Sequence, residues 1–246
     1  MFKSIPILKI VLIGFALSLI FLFPSCDQIL QPELGEFTDA DNDGYDDRDI
    51  LFLQKLIDNS QGYGNPPPPT MDPLHVGHQI WTDGRLRTLY HLGGVPYHEE
   101  EGFWLYEIPS EIEGAQYLNK IKISYNYLST IPEEIKNMPR LKEINLAKNR
   151  FVGQLPEELW ENKSLASLSI NNNSFSSDDI ILFSEKTGFP ILADPLSQVR
   201  TGNHNLTNII DNHDLFLKNK TLAKSLTPDL IIRVGMTPTS KTLLPP

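Results

Sequence analysis

The chain has 246 residues, 40% of them hydrophobic, and a formal net charge of −10 at pH 7. That is enough for one ordinary domain with appendages, and the acidity argues against nucleic acid as a partner, because phosphate binding needs a basic footprint. The excess is local: residues 27–72 hold eleven Asp and Glu against Arg48 and Lys55, whereas residues 73–246 hold twenty against seventeen bases.

Lys3 and Lys9 precede an uncharged apolar run of 14 residues, Ile10 to Phe23. The run suits the core of an export signal and is short of the roughly 20 residues that span a bilayer. Cys26, the only cysteine, follows Phe23-Pro24-Ser25 directly. A small residue before a lone cysteine resembles the lipobox of bacterial lipoproteins. The resemblance implies a signal peptide over residues 1–25, acylation of Cys26 and a place on the outer membrane or cell surface. The alternative is a cleaved signal with a secreted product, or an uncleaved anchor, with an incidental cysteine in either case. Acyl chains contribute about 0.8 kcal/mol per buried methylene, so two or three would hold a soluble domain on a membrane. A single cysteine allows no intramolecular disulfide.

Residues 26–60 read as a tether with an acidic loop and a helix. Asp39, Asp41 and Asp43 alternate, Gly44 follows, and Tyr45, Asp47 and Asp49 complete the run. Alternate residues of a tight loop point inward, and glycine permits its sharp turn. Carboxylates at the first, third and fifth positions with glycine sixth resemble the start of an EF-hand calcium loop. The resemblance implies Ca2+ held by Asp39, Asp41, Asp43, the Tyr45 carbonyl and Asp47. The twelfth position is Ile50 where an acid is usual, and Asp49 substitutes if the loop is one residue tighter. The other reading is a solvated acidic tether. Apolar residues at 50, 53, 56 and 57 suit one helical face. Loop plus helix is similar to half of a dockerin module, which needs two such loops. Residues 61–79, with Pro66 to Pro69 in a row, predict a semi-rigid spacer. Loop and helix would then form a calcium-stiffened stalk below the next domain.

From residue 80 to 185 one pattern recurs. Leu118-x-x-Ile121-x-Ile123-x-x-Asn126-x-Leu128 is repeated from Leu141 to Phe151 and from Leu165 to Phe175, with first positions 23 and 24 residues apart. Ile131-Pro132-x-x-Ile135 and Leu155-Pro156-x-x-Leu159 stand between the copies. The pattern resembles the leucine-rich repeats of bacterial and plant-like proteins. That implies an α/β solenoid: a short horseshoe of about four repeats, with a parallel β-sheet on its concave face. Leu86-x-x-Leu89-x-His91 fits a distorted first copy, with a long insertion before Leu118. Trp81 and Asp83-Gly84 suit a cap before it, and Asp178 to Phe183 a helical turn closing the other end. The apolar positions predict the core, and Asn126, Asn149 and Asn173 a buried ladder. Residues between the core positions face outward. A partner surface is therefore expected from Tyr90, Lys120, Lys122, Ser124, Tyr125, Glu143, Asn145, Lys148, Ser169 and Asn171.

Residues 186–246 show no repeat beyond Leu230-Ile-Ile-Arg-Val234 and read as an irregular tail. No phosphate loop, HExxH or Gly-x-Ser-x-Gly is present. His75-x-x-His78 and His98 beside three glutamates read as loop histidines more readily than as metal ligands. The sequence therefore points to a lipid-anchored, extracytoplasmic, non-enzymatic protein that binds a protein or surface ligand on its concave face. Two rivals are an adhesive envelope component in which the repeats are a spacer, and an accessory module of an envelope enzyme.

Overall fold

The computed structural model describes residues 35–96, 102–154, 158–195 and 197–235. The expected signal segment, Cys26 and His98 lie outside them. At the centre is a six-stranded, mostly parallel sheet. β1 (His78–Thr82) and β2 (Arg85–Leu92) form an antiparallel hairpin. β3 (Lys120–Ser124), β4 (Glu143–Asn145) and β5 (Ser167–Ser169) follow, each parallel to the one before. This architecture is consistent with the expected leucine-rich-repeat solenoid. Parallel neighbours require crossovers, and here they contain short helical returns at Ser110–Gly114, Glu133–Asn137 and α2 (Glu158–Glu161). Pro109 and Pro132 stand extended just before the first two returns. Their fixed φ and missing N–H suit the start of a helical turn, where the donor would have no partner.

The repeat spacing puts equivalent side chains in one row. Leu89, Ile121, Ile144 and Leu168 are register partners across successive strands, and all are at most 1% exposed. Each such burial stabilises by about 1.5–3 kcal/mol relative to exposure. Where the chain turns away from the strands, the asparagines bond the backbone. Asn149 accepts from the Leu128 N–H at 3.1 Å and donates to the Ile123 carbonyl at 2.8 Å. Asn126 and Asn173 bond adjacent turns in the same way. A buried amide left without partners would cost about 1–3 kcal/mol.

Before the hairpin lies α1 (Asp47–Asp58), capped by the Asp46 carboxylate on the Arg48 N–H. Its apolar face, Phe52, Leu53, Leu56 and Ile57, is fully buried in the same core as Leu86 and Leu89. The expected stalk is therefore corrected: loop and helix are packed onto the repeats as their first layer. The preceding loop is stitched to the hairpin, with the Asp46 N–H donating to the Gly84 carbonyl at 2.9 Å. A Cβ on Gly84, which has φ +68°, would come within 2.5 Å of the Gly44 carbonyl. Residues 61–79 are corrected from a spacer as well. Pro67 is buried, Tyr63 stacks on Tyr106 at 4.4 Å, and Asn65 donates to the Gly102 carbonyl at 2.8 Å.

At the other end α3 (Ser177–Thr187) is started by a Ser176–Asp179 capping box and stopped by left-handed Gly188. β6 (Ile191–Leu192) pairs with β7 (Ile209–Ile210), and two short helices follow, α4 (His213–Leu217) and α5 (Lys220–Ser225). The chain then returns as β8 (Ile231–Arg233), parallel to β5 in the main sheet. The expectation of an irregular tail fails here, because Leu230, Ile232 and Val234 alternate and pack against the solenoid core.

Candidate functional site

The face opposite the buried row carries two lines of side chains across the strands. Register places Tyr90, Lys122, Asn145, Ser169 and Arg233 in one line, and Thr88, Lys120, Glu143, Ser167 and Ile231 in the other. Glu143 is held between two lysines, 2.5 Å from Lys120 Nζ and 3.2 Å from Lys122 Nζ. Partial burial pushes its pKa up, but the lysine hydrogen bonds prevail and hold it below the usual carboxylate range. Lys122 Nζ also lies 5.2 Å from the Tyr90 ring centroid, and His78 stacks against the same tyrosine at 6.1 Å.

The rim where the strands end has an unusual backbone. Tyr125, Lys148 and Asn172 occupy the same place in their copies and have φ of 59°, 55° and 56°. The left-handed turn carries the chain off the strand just before each ladder asparagine. Asn tolerates it, whereas other L-residues lose roughly 1–2 kcal/mol there. Tyrosine and lysine at two of these places run against local preference. Tyr125 is 47% exposed, and Lys148 Nζ sits 4.1 Å from its ring centroid while donating to its hydroxyl. Ser124 ends β3 beside them, its carbonyl accepting from Gly93 N–H at 3.0 Å.

Of the residues expected at the face, Tyr90, Lys120, Lys122, Glu143, Asn145 and Ser169 share the two lines, and Tyr125 and Lys148 share the rim. Asn171 is partly withdrawn: its Oδ1 is buried without a hydrogen bond among the described residues. Arg233, Thr88 and His78 were not anticipated. For Arg233 the alternation of Leu230, Ile232 and Val234 held the signal, but its pairing strand is some sixty residues earlier in the chain.

The acidic loop forms a second cluster. One oxygen each from Asp39, Asp41 and Asp43 lie within 4.8 Å of one another. Asp39 accepts from the Asp43 and Gly44 N–H groups at 3.0 and 3.1 Å, and Asp43 from the Tyr45 N–H at 2.8 Å. Asp47, the first residue of α1, accepts from the Ala40 N–H at 3.2 Å. The Tyr45 ring packs edge-on against Trp81, 4.6 Å between centroids. These three carboxylates, with Asp47 beside them, are hard oxygen donors of the type calcium takes. Asp49 is corrected as a ligand. It is fully buried, and its Oδ2 accepts from Arg85 Nε at 2.8 Å and Leu86 N–H at 3.0 Å. It therefore faces the core, and burial raises its pKa despite those bonds. Asp46, not singled out from sequence, sits beside it, 3.2 Å from Arg85 Nη1. Burial raises its pKa too, but bonds from Arg48 and from the Thr38 and Arg48 N–H groups outweigh this and leave it lowered.

With this geometry in place, the family comparison is direct: residues 140–162, which contain β4 and its return, match the Leucine Rich Repeat family. This stretch is a leucine-rich repeat. Among solved structures, a leucine-rich-repeat protein of Leptospira interrogans is 25% identical, over 42% of this chain and 24% of that one, with a TM-score of 0.34. The BIR2 ectodomain of Arabidopsis thaliana is 25% identical over 53% and 69%, with a TM-score of 0.35. At those scores neither likeness bears on how this chain acts. A 2-succinyl-5-enolpyruvyl-6-hydroxy-3-cyclohexene-1-carboxylate synthase of Bacillus cytotoxicus is 59% identical over 61 residues, 25% of this chain and 10% of the synthase. The synthase so named in Lactococcus lactis is 30% identical over 161 residues, 61% of this chain and 28% of its own length. The chain thus spans about a tenth of the length of the first curated relatives it matches. Among the described residues no helix is long and apolar enough to cross a membrane.

Proposed function

We propose that this is a non-enzymatic, extracytoplasmic protein whose leucine-rich-repeat sheet binds a protein or surface ligand on its open face. The observation that carries the reading is Tyr125: a large, half-exposed aromatic kept in a left-handed conformation that disfavours it. Backbone strain retained at an exposed position is a motive for assigning function, and tyrosine is enriched among residues that dominate binding. Lys122, Asn145 and the Tyr90–Lys122 contact extend the same surface.

Tyr125→Asn separates structure from binding, because Asn172 already occupies the equivalent place. The variant should unfold at higher urea, by about 1 kcal/mol of stability, while chemical crosslinking of the full chain to envelope partners falls. Crosslinking that persists unchanged removes the open face as the binding surface and favours the repeats as a spacer.

In this reading the protein is exported and held at the bacterial envelope through acylated Cys26, which fatty-acid labelling of the wild type and Cys26→Ala would decide. Calcium is part of the same proposal. Asp39, Asp41, Asp43, the Tyr45 carbonyl and Asp47 would hold it, neutralising the three crowded carboxylates of Asp39, Asp41 and Asp43 before α1. Isothermal titration with calcium chloride should give heat that Asp41→Ala with Asp43→Ala abolishes, and an equal response from both proteins sinks the assignment. A second reading makes the chain an accessory module of an envelope enzyme. The partial matches to the synthases give it slight support.

A further inference from the structure

The chain is acidic as a whole, but its open sheet face is not. Lys120, Lys122 and Arg233 stand in its two outward lines and Lys148 on their rim, and Glu143 is the one acid in those lines. Glu143 is already neutralised by Lys120 and Lys122 together. No ion pair engages Lys148 or Arg233 among the described residues. The acids of this region stand on the returns instead: Glu111 and Glu113 on one, Glu133 and Glu134 on the next. Concentrating one sign on one face of an oppositely charged protein costs self-attraction that mixing would recover, and it sets up a field that selects partners.

We propose that the open sheet face takes an acidic, extended polypeptide segment, whose carboxylates meet Lys122, Lys148 and Arg233 while its backbone crosses the strands. The proposal rests on the reading above that this face is the binding surface, and it adds the chemistry of the occupant. Neighbouring strands are about 4.8 Å apart, so the line from Tyr90 to Arg233 spans about 19 Å, the length of about six extended residues. A short acidic segment can lie within this basic strip. A long polyanion would extend past it over a protein of net charge −10, and a screening length of about 8 Å does not hide charges that lie closer.

Fluorescence anisotropy of the full chain with labelled hexaglutamate, hexalysine and a single-stranded oligonucleotide of equal charge tests this. Hexaglutamate should bind and hexalysine should not. Raising sodium chloride from about 50 to about 500 mM should weaken binding about tenfold or more. Lys122→Glu with Lys148→Glu should do the same at low salt, by about tenfold, while Lys136→Glu on a return leaves affinity unchanged. Absence of hexaglutamate binding at low salt, equal loss in Lys136→Glu, or stronger oligonucleotide binding each overturns the acidic segment. If that happens while Tyr125→Asn still lowers crosslinking, the binding face stands and only its partner chemistry falls. If neither responds, both readings fail together.

Discussion

His91 shows how a single residue can stay close to a repeat pattern and still change the protein's chemistry. It fills a position that Ile123 and Leu146 fill in later copies. It is 1% exposed, with its ring 4.7 Å from that of Phe103. Burial drives its pKa down from 6.5 to about 4, and a hydrogen bond with Asn126 opposes this only in part. Because the folded pKa lies below the unfolded one, the unfolded chain takes up a proton first as pH falls. Stability is therefore at its full value above about pH 6.5, declines between about 6.5 and 4, and has lost about 3 kcal/mol on that account at the lower limit. Urea midpoints of the wild type should fall across this window, and those of His91→Leu should lose that share of the slope. An equal slope in both would show that the imidazole is not the titrating group.

At the scale of elements, the contact of α1 with the hairpin combines an apolar face with a buried ionic cluster. Arg85 is 5% exposed at its side chain and bridges Asp46 and Asp49, both at 0%. Its guanidinium also lies 4.4 Å from the Tyr117 ring centroid. Removing Arg85 leaves Asp49 desolvated without a cation and Asp46 with Arg48 alone, which costs more than the intact cluster ever contributed. Arg85→Met is expected to lose about 3–5 kcal/mol, and amide exchange should accelerate first in α1. Pairing Arg85→Met with Asp46→Asn and Asp49→Asn should recover much of that loss. Failure to recover it would mean that Arg85 acts through packing on Tyr117. None of this was visible in the acidic run, where Asp46 and Asp49 look the same as Asp41 and Asp43.

Over the whole molecule, a solenoid must close both open ends of its core, and this chain does so with segments far apart in sequence. α1 covers the first layer, and β8 pairs with the last regular strand. The Ile170 N–H donates to the Arg233 carbonyl, and the Ile231 N–H to the Ala166 carbonyl. Ile232→Asp places a charge at a core-packed position, so β8 should detach and leave β5 as a bare edge open to other chains. Hydrogen exchange should show the Ile170 amide losing protection while Ile121 and Ile144 keep theirs, with self-association rising. Loss of protection throughout would make β8 part of one cooperative unit with the repeats.

Sequence alone determined the repeat. The spacing of Leu118, Leu141 and Leu165, with the asparagine that follows each, resembles a leucine-rich repeat, and the resemblance implies parallel strands with an inward and an outward row. The two outward lines of the candidate site were legible for the same reason. Three things were decided only by the tertiary structure. Burial, which no residue carries by itself, split the acidic run into loop carboxylates and core-facing Asp46 and Asp49. Packing turned the presumed stalk and spacer into a cap. Long-range pairing brought Arg233 beside Ser169, and so completed the basic face.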